Sequence, residues 1–138
     1  MKKIFISWLV FSIITISFSV GLAQSNLKKS ITPKVTVYYF HYALRCATCH
    51  AVEDNSKNAL TTLYPEKVKT GEYAFKAINF DEASSKPIAK KLGVGGQTLL
   101  VVCDDKKIDL TSKVFLYAQD PTRIETEIKK ANDRVATR

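Results

Sequence analysis

The chain has 138 residues, of which 46% are hydrophobic, and its formal net charge at pH 7 is +8. This length is enough for one domain with a buried core and too short for two. The basic residues are dispersed among acidic and apolar ones, without the interleaved aromatic rings that stack on bases, which argues against nucleic-acid binding. We therefore expect one small domain with a solvated basic surface and no nucleic-acid partner.

The first 23 residues have the pattern of a secretory signal peptide. Lys2 and Lys3 supply the charged start, residues 4–20 are uncharged and mostly apolar, and Gly21-Leu22-Ala23 offers the small residues that a signal peptidase reads. We predict cleavage after Ala23, a flexible leader over residues 24–33 and a domain over residues 34–138. An uncleaved membrane anchor is the alternative, although serine and threonine side chains dilute the apolar run. The expected location is periplasmic or secreted.

The rest of the chain alternates strand and helix patterns. The first strand is apolar on both faces, which is typical of a central strand. In chain order, we predict a strand over Lys34–His41, a helix over Cys46–Tyr64, a polar connection over Glu66–Glu72, a strand over Tyr73–Phe80, a helix capped by Ser84 or Ser85 with Pro87 in its first turn and ended by Gly93, a strand over Gln97–Asp104, its hairpin partner over Lys106–Leu110, a short helix over Ser112–Ala118 and a final helix over Pro121–Ala136.

This order predicts the arrangement of the sheet. A crossover through the first helix makes the first two strands parallel, whereas the closing hairpin is antiparallel. The expected fold class is therefore α/β, with a four-stranded mixed sheet and flanking helices.

Two cysteines separated by two residues, Cys46 and Cys49, stand where the first helix is predicted to begin. A thiolate at a helix N-terminus is stabilised by unpaired backbone N–H groups and by the helix dipole, so such a cysteine reacts near neutral pH. A purely structural disulfide is the alternative, but a loop this short would add little stability. The third cysteine, Cys103, lies in an apolar strand and is expected to be a small buried hydrophobe. The spacing therefore favours a redox pair.

Two other kinds of site use the same residues. The sequence Cys46-Ala47-Thr48-Cys49-His50 also matches the attachment signature of covalent c-type haem, with His50 as axial ligand. The mature chain, however, has no methionine to supply a sixth ligand, which leaves His41, a lysine or no sixth ligand. Cys46 and Cys49 with His50 or His41 also form a soft ligand set for Cu(I) or Zn(II).

Most of residues 34–135 resemble the thioredoxin-like superfamily. The resemblance is carried by Val37-Tyr38-Tyr39-Phe40 before Cys46-Ala47-Thr48-Cys49, by Ala77-Ile78-Asn79-Phe80-Asp81, by Ala89-Lys90-Lys91-Leu92-Gly93-Val94 and by Thr98-Leu99-Leu100-Val101-Val102. More narrowly, Tyr39-Phe40-His41, Arg45-Cys46-Ala47-Thr48-Cys49 and Leu116-Tyr117-Ala118 before Asp120-Pro121 are similar to the nitrophenyl compound nitroreductase subunit ArsF family.

The resemblance implies a thioredoxin-like fold and a division of roles between the cysteines. Cys46 would attack as a thiolate and Cys49 would resolve the mixed disulfide. Arg45 would either place positive charge beside Cys46 or be a solvated turn residue. A monomer is expected that needs no bound organic cofactor and that exchanges electrons with a protein dithiol or disulfide, soluble or membrane-bound.

The chain departs from the thioredoxin pattern in one place. Members of that superfamily have a cis-proline facing the cysteines at the start of the third strand, whereas this chain has Gly95-Gly96-Gln97-Thr98 there. The departure implies either that Gly96 and Gln97 approach the cysteines with a different backbone or that substrate recognition has changed. It also leaves room for a metal ion.

Overall fold

Strands and helices alternate along residues 32–137, which are the residues that the computed structural model describes. The predicted signal peptide and nearly all of the predicted leader lie outside them. The elements are β1 (Val35–His41), α1 (Ala47–Leu63), α2 (Pro65–Lys69), β2 (Tyr73–Asn79), a 3-10 turn (Ala83–Ser85), α3 (Lys86–Leu92), β3 (Thr98–Cys103), β4 (Lys106–Asp109), α4 (Thr111–Leu116) and α5 (Pro121–Ala136). Within this range, no helix is both long and apolar enough to cross a membrane.

The four strands form one mixed sheet in the order β2-β1-β3-β4. Strand β1 pairs parallel with β2 and antiparallel with β3, and β3 pairs antiparallel with β4. Six of the seven residues of β1 are buried, because the strand lies between two neighbours and is covered on both faces. The predicted α/β class and the four-stranded mixed sheet are confirmed.

The helices cover the sheet on two sides. Alternate residues of β1, including Val37 and Tyr39, belong to the larger core cluster, to which α1, α4 and α5 also contribute. Phe40 points to the other face and packs with Ala89 and Leu92 of α3. The period of two in β1 therefore separates the two layers of the core.

The polar connection predicted after the first helix is partly wrong, because Pro65 begins the short helix α2. Proline disfavours helical dihedrals in the residue before it, and Tyr64 accordingly ends α1 with φ −136° and ψ 53°. Pro65 itself is well suited to the first position of a new helix, where its missing N–H costs nothing. Proline thus marks a break between two helices here.

The predicted end of α3 at Gly93 and the predicted start of α5 at Pro121 are confirmed, whereas the predicted serine cap of α3 is wrong. Gly93 follows α3 in the left-handed region with φ 69°, and Asp120 caps α5 by accepting a hydrogen bond from the Arg123 N–H at 3.1 Å. Ser85 does precede α3, but its hydroxyl donates to the Glu82 carbonyl at 2.7 Å instead of capping the helix. Local backbone chemistry therefore accounts for the end of α3 and the start of α5.

Candidate functional site

Cys46 and Cys49 lie close together at the start of α1. Cys46 is the N-cap residue, with extended backbone dihedrals of φ −84° and ψ 169°, and Cys49 lies in the first turn. Their Sγ atoms are 3.0 Å apart, and both are free thiols. Cys46 is exposed whereas Cys49 is buried, so a molecule arriving from solvent meets Cys46 first.

The surroundings of Cys46 favour its thiolate. Its pKa lies below the ordinary value, first because the Cys49 thiol donates a hydrogen bond to it and then because the backbone N–H groups of Cys49 and Thr48 lie near the sulfur. These N–H groups have no carbonyl partner within the first turn of the helix. Cys46 therefore has the two properties of a nucleophile, which are exposure and a stabilised anion.

Two contacts hold the loop over residues 42–45 that precedes Cys46. The Arg45 guanidinium forms an ion pair with the Glu53 carboxylate of α1, and both side chains are about one-fifth exposed. At the other end of the loop, the Ala43 N–H donates to the Asp81 carboxylate at 2.7 Å. Arg45 is thus neither fully solvated nor a free charge beside Cys46, since Glu53 neutralises it.

A chain of two hydrogen bonds runs beneath the cysteines. The Tyr39 hydroxyl donates to the Cys49 carbonyl at 3.1 Å and accepts from the Gln97 amide Nε2 at 2.8 Å. The Tyr39 side chain is fully buried, and burial raises the pKa of its hydroxyl to about 12. Gln97, which is predicted from sequence to approach the cysteines, therefore reaches Cys49 through Tyr39.

The glycine segment before β3 lies beside the loop over residues 42–45. A Cβ atom built on Gly96 would be 3.7 Å from the Tyr42 hydroxyl, an ordinary van der Waals contact. Phe40 pairs with Thr98 in the sheet, so the chain that enters β3 arrives next to the end of β1. Gly95 and Gly96 thus lie in the segment that enters β3 next to the end of β1 from which the loop to Cys46 starts.

The two histidines are not arranged with the cysteines as a ligand set. His50 is exposed on α1, and His41 is buried with its Nδ1 atom 2.9 Å from the Tyr42 carbonyl oxygen. Among residues 32–137, no three His, Cys, Asp or Glu side chains form a group able to hold a metal ion. The structure thus offers two cysteine sulfurs to a metal, without a third ligand grouped with them.

The three large hydrophobic side chains exposed in the described residues lie near the cysteine pair. Tyr42 is 45% exposed and Leu44 96% exposed, and both precede Cys46 in the same loop. Leu116 is 73% exposed and lines a groove of ≈ 410 Å³ together with Thr48, which lies between the two cysteines in the sequence. The cysteine end of the molecule therefore presents apolar surface to solvent.

The third cysteine is separate from this site. Cys103 ends β3 and is 4% exposed within the larger core cluster. It pairs with Val35, at the opposite end of β1 from His41 and the cysteine pair. Cys103 is a small buried hydrophobe, as predicted from its apolar strand.

The sequence did not indicate the roles of Tyr39 and Asp81 in holding the site. One signal for Tyr39 was available, because a tyrosine that alternates with buried Val35 and Val37 needs a partner for its hydroxyl. The partners could not be identified, since Gln97 is 58 residues away in sequence. Asp81 was open to interpretation as a simple turn residue.

Comparisons with known proteins add little to this description. No protein-family model and no curated protein matches the chain. One solved structure, described as "Structure of a malarial protein", is 18% identical, covers 71% of this chain and 97% of its own, and has a TM-score of 0.45. A likeness of that size carries no argument about this chain.

Proposed function

We propose that this chain is an exported thiol–disulfide redox protein whose Cys46 and Cys49 cycle between dithiol and disulfide. One observation carries the proposal: an exposed thiol of lowered pKa at the start of a helix lies 3.0 Å from a buried second thiol. A structural disulfide does not require one sulfur to be exposed and anionic, whereas exchange with another molecule does.

The proposal includes a thioredoxin-like fold. In its support, the helix that carries the cysteines follows the central strand directly, and the sheet has the order β2-β1-β3-β4. The cysteines then lie at the carboxyl end of a strand in an α/β sheet, the usual place for a functional site in such folds. Export through a signal peptide would bring the pair to a compartment where disulfides form and persist.

The chemistry follows from the two positions. The Cys46 thiolate attacks one sulfur of a partner disulfide, which forms a mixed disulfide and releases the partner's other sulfur as a thiolate. Cys49 then loses its proton to solvent and attacks the Cys46 sulfur, closing the Cys46–Cys49 disulfide and releasing the partner's second thiolate. The partner gains two electrons and this chain loses two, and the same steps in reverse return them.

The exposed apolar residues favour a protein as the partner. Leu44 lies two residues before Cys46 in the chain, Leu116 lines the same groove as Thr48, and a small thiol such as glutathione would leave both leucines in water. A polypeptide bound over Cys46 would bury them, which is favourable by about 25 cal/mol per Å² of apolar surface. We infer that this chain acts as a monomer on a dithiol or disulfide presented by another protein, soluble or membrane-bound.

Trapping the mixed disulfide tests the proposal. The Cys49→Ser variant should accumulate an adduct at Cys46 when it is mixed with a disulfide-bonded peptide, because the resolving thiol is missing, and intact-mass spectrometry measures the adduct. Cys103→Ser is the matched control and should behave as the unmodified chain, whereas Cys46→Ser should form no adduct. A Cys49→Ser protein that is folded yet leaves Cys46 unmodified would overturn the proposal.

A further inference from the structure

The Tyr39 hydroxyl joins three parts of the site that are distant in sequence. It comes from the middle of β1, whose backbone is paired on both sides, and it contacts the first turn of α1 and the segment before β3. Because the Tyr39 side chain is fully buried, water does not compete for these bonds. The Cys49 peptide unit is therefore anchored to the most constrained strand of the sheet.

The hydroxyl acts as a donor and not as an acid or base at neutral pH. Burial is the main cause that raises the pKa of Tyr39 to about 12. The proton consequently stays on the hydroxyl in both redox states of the cysteines. A carbonyl oxygen has two lone pairs, so the Cys49 carbonyl accepts this bond in addition to its helical one.

Resolution of a mixed disulfide is the step that depends on where Cys49 lies. Attack by Cys46 on an incoming disulfide needs only an exposed thiolate, and Cys46 is exposed on the surface. Attack by Cys49 is intramolecular, and its rate depends on holding the two sulfurs close and correctly oriented. Because Cys49 also donates a hydrogen bond to the Cys46 thiolate, its position influences the pKa of Cys46 as well. At a pH where Cys46 is fully ionised, an anchor on the Cys49 backbone therefore affects the second step and leaves the first unchanged.

We propose that Tyr39, held in place by Gln97, is a positioning residue that fixes Cys49 for attack on the mixed disulfide at Cys46. The inference rests on the proposed function. It goes further by assigning to a tyrosine and an amide, outside the cysteine motif, control of one of the two exchange steps.

A two-step kinetic measurement tests the inference. At a pH where Cys46 is fully ionised in every variant, an aromatic disulfide reagent that releases a coloured thiolate should react with the reduced protein in two phases. The first release is bimolecular and reports Cys46, whereas the second is unimolecular and reports Cys49. Tyr39→Phe keeps the ring and removes the hydroxyl, and we expect it to slow the second phase by about tenfold, as for loss of one buried hydrogen bond, without changing the first.

Two further variants complete the experiment. Tyr38→Phe removes a hydroxyl from the neighbouring position of β1, where the ring packs on the other face of the sheet, and should leave both phases unchanged. Gln97→Leu leaves Tyr39 without its second partner and should also slow the second phase alone. This variant carries the test if Tyr39→Phe does not fold.

The outcomes separate this inference from the proposed function. If Tyr39→Phe folds and the rate of its second phase is unchanged, the positioning role alone is overturned. If Tyr39→Phe does not fold, an unchanged second-phase rate in Gln97→Leu has the same meaning. The positioning role is also overturned if Tyr39→Phe slows both phases equally, or if Tyr38→Phe slows the second phase as much as Tyr39→Phe does. In either case the effect would be general to the fold. If the unmodified protein shows no second phase, the redox function fails and the inference fails with it.

Discussion

Exposure and charge distinguish the two thiols of the candidate site. Cys46 caps the helix in water and its anion is stabilised by neighbouring donors, whereas Cys49 is buried within the same turn. At the level of sequence, the resemblance to thioredoxin-like proteins implied this asymmetry, with Cys46 as the attacking thiol and Cys49 as the resolving one. Under the proposed function, reactivity and resolution are assigned to separate atoms.

The lowered pKa of Cys46 leads to a pH-dependent prediction. The thiol donor of Cys49 is the largest cause of the shift, so Cys49→Ala should raise the pKa of Cys46. Alkylation requires the thiolate, and its rate-against-pH midpoint should therefore move to higher pH in that variant. Iodoacetamide modification followed by mass spectrometry measures the midpoint.

The matched control for this measurement is Cys49→Ser, which keeps a hydroxyl donor near Cys46 and should shift the midpoint less. A midpoint that is the same in Cys49→Ala and the unmodified chain would contradict the account of how Cys46 is activated.

The partners of the Arg45 and Tyr39 side chains could not be predicted from the sequence, because Glu53 and Gln97 are brought to them only by the folded chain.

The hydrophobic pattern of the sequence was sufficient to predict the strands and the long helices. The alternation in β1 and the helical spacing in α1 and α5 reflect which faces are buried, and burial decides these elements. Helix α2 was missed because none of its five residues is buried, so its formation depends on Pro65 and local backbone preference. Short exposed helices leave little hydrophobic signal.

The apolar loop and helix α4 beside the cysteines lead to a prediction about the partner. Leu44→Ser and Leu116→Ser should each lower the rate with a protein disulfide such as insulin by about tenfold, the size expected for loss of one buried leucine contact. Rates with a small aromatic disulfide should stay the same, because that reagent does not cover either residue. Colour release and insulin reduction measure the two rates.

Asp105→Ser is a suitable control for the leucine variants, since Asp105 lies in the β3–β4 turn at the end of the sheet away from the cysteines. It should leave both rates unchanged. Equal loss of rate with the protein and with the small disulfide would mean that the leucines support the site itself and do not contact a partner.

The whole molecule places one reactive pair at one end of a sheet and keeps its third cysteine at the other. Val35 pairs with Cys103 at the far end of β1, whereas the near end leads into the loop that holds Cys46. The sheet order and this separation follow from the order of elements along the chain. The contacts that hold the pair do not, because they join residues from β1, α1 and three different loops.

The most direct test of the central claim is a redox titration of the full chain in glutathione buffers, read by peptide mapping after the thiols are blocked. We predict one two-electron transition between roughly −120 and −300 mV, with a Cys46–Cys49 disulfide in the oxidised protein and Cys103 a free thiol throughout. A pair that stays reduced across this range, or that yields only separate glutathione adducts, would contradict the claim.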